Sequence, residues 1–117
     1  VRLEEIAKHL GLERLTPELA EEHVVDVEHA HASDLLSDIL AFAPPRGVAL
    51  TIQAHLNAVA VAVHARQAAV IFTSDRRPAD DVVARAIEER LPLFLARQGT
   101  FDVAGRLYEL GVRGRIE

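Results

Sequence analysis

The residue types able to do chemistry gather in three short stretches. His29-Ala30-His31 places two imidazoles two positions apart. On a strand that spacing turns both rings to one side. Such a pair is half of a metal site, with Asp34 or His55 as a third ligand. It is equally the polar edge of a strand, and no further ligand stands at a fixed spacing, so the edge reading is preferred and no metal is assigned. Thr51-Ile52-Gln53-Ala54-His55-Leu56-Asn57 collects polar side chains where an apolar run gives way to a helical pattern. In open α/β sheets ligands sit outside the carboxyl ends of strands, and free N–H groups at a helix start favour an anion. The alternative is that Thr51, Gln53 and Asn57 only cap the helix and close the turn. Ser33, Asp34 and His55 can be assembled into a nucleophile, acid and base on paper. Ser33 lacks a nucleophile-elbow context, and a helix cap is the stronger reading. No catalytic residue is assigned.

Other chemistries are absent from the sequence. There is no cysteine, so disulfides, thiolate metal sites and cysteine nucleophiles are excluded. No glycine-rich phosphate loop or dinucleotide fingerprint occurs, and no cofactor is expected. The 117 residues carry 13 Lys+Arg against 18 Asp+Glu, a net charge of −5, which argues against a nucleic-acid partner. The charge is uneven, net −7 over residues 1–40 and net +2 over the rest. The segment Leu3–Leu12 resembles the opening of a helix-turn-helix, but the helix expected next is acidic (Glu18, Glu21, Glu22), which is wrong for a major groove. The longest apolar run, Ala58–Val63, is too short to span a membrane. The first ten residues are amphipathic and charged, unlike a signal peptide. A cytoplasmic protein with no membrane partner is expected.

The elements that must position these residues follow from periodicity. Leu3, Ile6, Ala7 and Leu10 have helical spacing, stopped by Gly11. Thr16-Pro17-Glu18 starts a short second helix ending near Glu22. Alternation over Val24–Ala32 predicts a strand. Ser33 caps a third helix with Asp34 in its first turn and a stripe of Leu35, Leu36, Ile39, Leu40 and Phe42. Pro44-Pro45-Arg46-Gly47 breaks the chain. Val48–Ile52 and Ala69–Thr73 are apolar strands, and the stretch between them, Ala54–Arg66, has the length of a helical crossover. Pro78 opens a further helix, Leu91–Ala96 is another strand, and Thr100 caps a last helix ended by Gly111. The pattern predicts an α/β chain: a three-layer α/β/α sandwich with a mostly parallel sheet of four to five strands, in a single domain over residues 1–117.

As a whole the chain resembles the DRTGG domains. The resemblance lies in Leu3-Glu4-Glu5-Ile6-Ala7 with Leu10-Gly11-Leu12, in Ala32-Ser33-Asp34-Leu35-Leu36-Ser37-Asp38-Ile39-Leu40, in Thr51–Val61, and in Phe101–Gly111. The motif that names the family falls at Asp26-Val27-Glu28-His29-Ala30, where only the Asp matches and His29 and Ala30 replace both glycines. The family is similar to the N-terminal domain of HPr kinase and the first domain of the Mur ligases, which implies the same sandwich. It also implies a regulatory or assembly module without catalytic activity, of a kind that dimerises; the expectation is a non-enzymatic, small-ligand-sensing homodimer whose further partner is a small anionic or nucleotide-like ligand. The ligand residues expected are Ser33, Asp34, Thr51, Gln53, His55 and Asn57. Two alternatives stand beside this: a small metal-dependent hydrolase using His29, His31, His55 and Asp34, and a purely structural interaction subunit.

Overall fold

The computed structural model describes residues 1–115. The first helix, α1 (Leu3–Leu10), buries Leu3, Ile6, Ala7 and Leu10 on one face. Glu4 and Glu5 lie near its positive end and Lys8 and His9 near its negative end, as the helix dipole favours. It stops at Gly11, whose φ of 64° is the left-handed conformation that glycine adopts without a Cβ clash. The chain then forms a strand the sequence pattern did not predict, β1 (Glu13–Arg14). Next comes a 3-10 segment, Pro17–Val24, with a non-helical kink at Leu19. An α-helix was expected here. The Thr16 hydroxyl does not cap it and instead accepts the Leu93 backbone N–H at 3.0 Å, so the first turn lacks its cap.

The expected strand over Val24–Ala32 shrinks to β2 (Ala30–Ala32). Its first half runs extended but is claimed by the chain start: Leu3 N–H donates to Val25 O and Val27 N–H to Val1 O. After β2 come α2 (Leu36–Phe42), β3 (Val48–Thr51), α3 (Leu56–His64), β4 (Ala69–Phe72), α4 (Asp80–Glu88), β5 (Leu93–Leu95) and α5 (Thr100–Glu109). The sheet order is β1-β5-β4-β3-β2. β2, β3, β4 and β5 are mutually parallel, and β1 is antiparallel to β5 at the edge.

Every residue of β3, β4 and β5 is buried. Strands without a polar face need cover on both sides, and alternate residues feed two cores. Val48, Leu50, Ala69, Ile71 and Phe94 pack with α1 and α5. Ala49, Val70, Phe72, Leu93 and Leu95 pack with α2, α3 and α4. The result is the expected α/β/α sandwich with five strands. Strand succession β2 to β5 along one direction, with crossovers of one hand, places α2, α3 and α4 on a single face. Only α5 turns back beneath the sheet, to lie against β2 and β3.

Candidate functional site

The parallel register that sets Ala32 beside Leu50 brings residue 34 alongside residue 52, where β3 ends. Asp34 uses this proximity. Its Oδ1 accepts the Ile52 backbone N–H at 2.9 Å and the Thr51 hydroxyl at 3.3 Å. Thr51 is buried, and its Oγ1 also accepts Gln53 N–H at 3.1 Å. Gln53 returns to Asp34 by donating its side-chain Nε2 to the Asp34 backbone O at 2.8 Å. His55 Nε2 then donates to Gln53 Oε1 at 3.1 Å. Four of the six expected residues therefore form one connected polar network at the carboxyl end of β3. Asp34 Oδ2 is left without a partner among the described residues.

The other two stand apart from it. Ser33 does not cap α2, which starts two residues beyond the expected position with Leu35 as its cap residue. Ser33 Oγ accepts the Leu35 N–H at 3.2 Å and closes a local turn instead. The reason is Asp34: held on β3, it keeps the backbone extended past residue 33. Asn57 does not cap α3 either. His55 is the cap residue, with no side-chain cap bond, and no acidic residue occupies the first turn. Asn57 lines a groove of about 340 Å³ with His55, Leu56, Ala79 and Asp81, between the starts of α3 and α4. His55 alone borders both network and groove. The Thr100 cap is likewise replaced. Gly99 caps α5, and the Thr100 hydroxyl lies 2.6 Å from that of buried Thr73 on the end of β4.

The histidines separate. His29 precedes β2 and lines a cavity of about 510 Å³ at the amino ends of the strands, with Asp26, Glu28, Pro44, Pro45 and Arg46. His31, within β2, donates from Nε2 to Asp38 Oδ2 at 2.7 Å. That bond holds the Asp38 pKa below its ordinary value. Asp38 is the polar partner that sequence reasoning missed, because only the packing of α2 over β2 joins residues seven apart across a turn. His55 belongs to the β3 network. Among the described residues no three His, Asp or Glu side chains gather as a metal cage would require. No helix is long and apolar enough to cross a membrane.

No family model matches the sequence, and no curated protein matches it. Among solved structures the chain is similar to the CBS and DRTGG domains of the regulatory region of the Clostridium perfringens pyrophosphatase, in complex with its activator diadenosine tetraphosphate. The TM-score is 0.74 at 14% identity. The likeness is one of fold. It covers 91% of this chain and 45% of that one, so the chain spans less than half the length of the structure it matches.

Proposed function

We propose that this chain is a DRTGG-type regulatory module, a single domain without catalytic activity, which binds a small nucleotide-like ligand and associates with itself. The observation that carries the reading is the Asp34–Thr51–Gln53–His55 network, placed at the carboxyl end of a central parallel strand in a fold shared with a regulatory region. Only Thr51 of the network is buried, and Asp34 and His55 are exposed. The network leaves Asp34 Oδ2 and one edge of the His55 ring toward solvent, beside the uncapped start of α3.

Those groups suit a nucleotide. A ribose hydroxyl or base amino group donates to Asp34 Oδ2. A phosphate accepts from the first N–H groups of α3, where the helix dipole favours negative charge. His55 and Asn57 border that position, while Thr51, Gln53 and Ser33 hold the loop. His31 is already engaged by Asp38, so it is not a base in waiting. The ligand of the similar structure, diadenosine tetraphosphate, is the first compound to try.

Titration calorimetry and thermal melts with diadenosine tetraphosphate, then with mononucleotides and acyl phosphates, test the reading. A ligand at a hundredfold excess over Kd should stabilise the fold by about 2.7 kcal/mol. Asp34→Asn keeps the Oδ1 acceptor and hence the loop, but weakens the donor-accepting face, so it should abolish the shift without lowering the ligand-free melting temperature. His55→Ala should do the same. Absence of any heat or shift up to millimolar concentrations would refute ligand sensing at this site.

A further inference from the structure

The amino ends of the strands, away from the polar network, carry a cavity with chemistry of its own. It measures about 510 Å³ and is lined by Asp26, Glu28, His29, Pro44, Pro45 and Arg46. The register that sets Ala30 beside Val48, followed back toward the start of both strands, brings Glu28 alongside Arg46. Opposite charges set side by side across paired strands attract. These two do not meet. Neither the Glu28 carboxylate nor the Arg46 guanidinium has an ion-pair or hydrogen-bond partner among the described residues. The remaining carboxylate of the cavity is engaged, since Asp26 Oδ1 lies 3.2 Å from the Val1 ammonium.

Arg46 also stands where a glycine would be less strained. Gly47 N–H donates to Pro44 O at 3.2 Å, which closes a turn with Pro45 second and Arg46 third. Arg46 has a φ of 65°, a conformation that the third position of such a turn reserves for glycine or asparagine. The glycine stands one place later, where a Cβ would sit 2.8 Å from the His29 carbonyl oxygen. Arg66 and Arg90 have positive φ as well, but each directly follows the end of a helix, where a cation meets the negative pole of the helix dipole. Arg46 lies in a separate turn and lines the cavity, and a strained residue so placed points to a binding role.

We propose that this cavity binds a free α-amino acid in its zwitterionic form. Arg46 donates to the carboxylate, Glu28 accepts the ammonium, and an aliphatic side chain lies against the rings of Pro44 and Pro45. The lining favours a molecule that carries both charges: an anion without an ammonium meets Asp26 and Glu28, and a cation without a carboxylate meets Arg46. The site lies at the other end of the sheet from the Asp34–His55 network and does not depend on the ligand proposed for it.

Nitrogen–proton correlation spectra of the full chain, recorded with each standard amino acid in turn up to about 10 mM, test the proposal. The Glu28, Arg46 and Gly47 amides should shift and saturate with at least one aliphatic amino acid. The N-acetyl and amide derivatives of that amino acid should each bind at least about tenfold more weakly, the weight of one charge-assisted hydrogen bond. Glu28→Gln and Arg46→Gly should each weaken binding by at least the same factor. Arg46→Gly is the decisive variant, because glycine relieves the positive φ, and a melting temperature no lower than wild type shows that the fold is intact. Absence of shifts with every amino acid overturns the proposal. Equal binding of either derivative overturns it too, as does binding that survives both variants. Asp34→Asn should leave the shifts unchanged, and their loss in that variant would move the amino acid to the end of β3 and overturn this site.

Discussion

His23 is the most informative residue to perturb. It lies on the 3-10 segment, is 2% exposed, and neither ring nitrogen has a hydrogen-bond partner. Its ring tilts against Phe94 of β5 at 5.2 Å between centres. Arg14 from β1 faces it, with Glu22 of its own segment and Glu4 of α1 as the acidic groups nearby. Burial first, and the Arg14 charge second, hold its pKa below the ordinary 6.5. The sign follows. Above pH 6.5 the imidazole is neutral in both folded and unfolded chains and contributes no pH dependence. As pH falls below 6.5 the unfolded chain takes up a proton that the folded chain resists. Stability therefore declines with falling pH, toward the depressed folded value. One such group gives a slope of at most ~1.4 kcal/mol per pH unit. His23→Leu keeps the volume, removes two unpaired polar atoms and abolishes the titration. Relieving a buried unsatisfied group is worth ~1–3 kcal/mol, so the variant should equal or exceed wild type at pH 7.5 and gain further on it toward pH 5. Urea melts of both proteins across that range measure the difference, in which every other titrating group cancels. Parallel decline of the two, with a constant gap, would refute the assignment of a neutral buried imidazole.

Two more perturbations probe the frame around the site. Thr16→Val should cost ~1–3 kcal/mol in denaturant melts, because it strips the acceptor from the buried Leu93 N–H and leaves that donor unpaired. Gly47→Ala should cost ~1–3 kcal/mol by overpacking, since a Cβ there would sit 2.8 Å from the His29 carbonyl oxygen, which cannot move without disturbing β2. An alanine at 47 with wild-type stability would mean that the β2 edge shifts freely.

The parallel core was legible because its strands are apolar on both faces, and Val48–Thr51 and Ala69–Phe72 stood a helix apart. β1 was not, because Glu13-Arg14 carries no pattern: it is a strand only because β5 offers backbone partners to it. The alternation of Val25 and Val27 was real, yet it served contacts with the chain start, which no local pattern can distinguish from a sheet partner. The hydroxyls of Thr16 and Thr100 were misassigned for a common reason. A cap and a tertiary bond use the same atom, and the sequence shows only that the atom exists. At the site, the spacing of Thr51, Gln53 and His55 pointed to a polar turn. The bond from Asp34 to that turn depends on the register of β2 against β3, which spans eighteen residues and is set by the packing of α2.

The reversal of α5 to the opposite face has a mechanical consequence. Where successive connections leave a parallel sheet on opposite sides, the strand ends part and a crevice opens between them, the usual seat of a ligand. Here that point lies between β4 and β5, and it is sewn shut. Ser74 N–H donates to Gln98 O at 2.7 Å, Asp75 N–H donates to Ala96 O at 2.9 Å, and the Thr73 and Thr100 hydroxyls bond across the seam. Ser74 and Asp75 adopt positive φ to make these closures. The cleft that this topology would ordinarily provide is a weld, and the open surface at this end of the sheet is the shelf over β3. A group resting on that shelf would meet one wall of the protein rather than two.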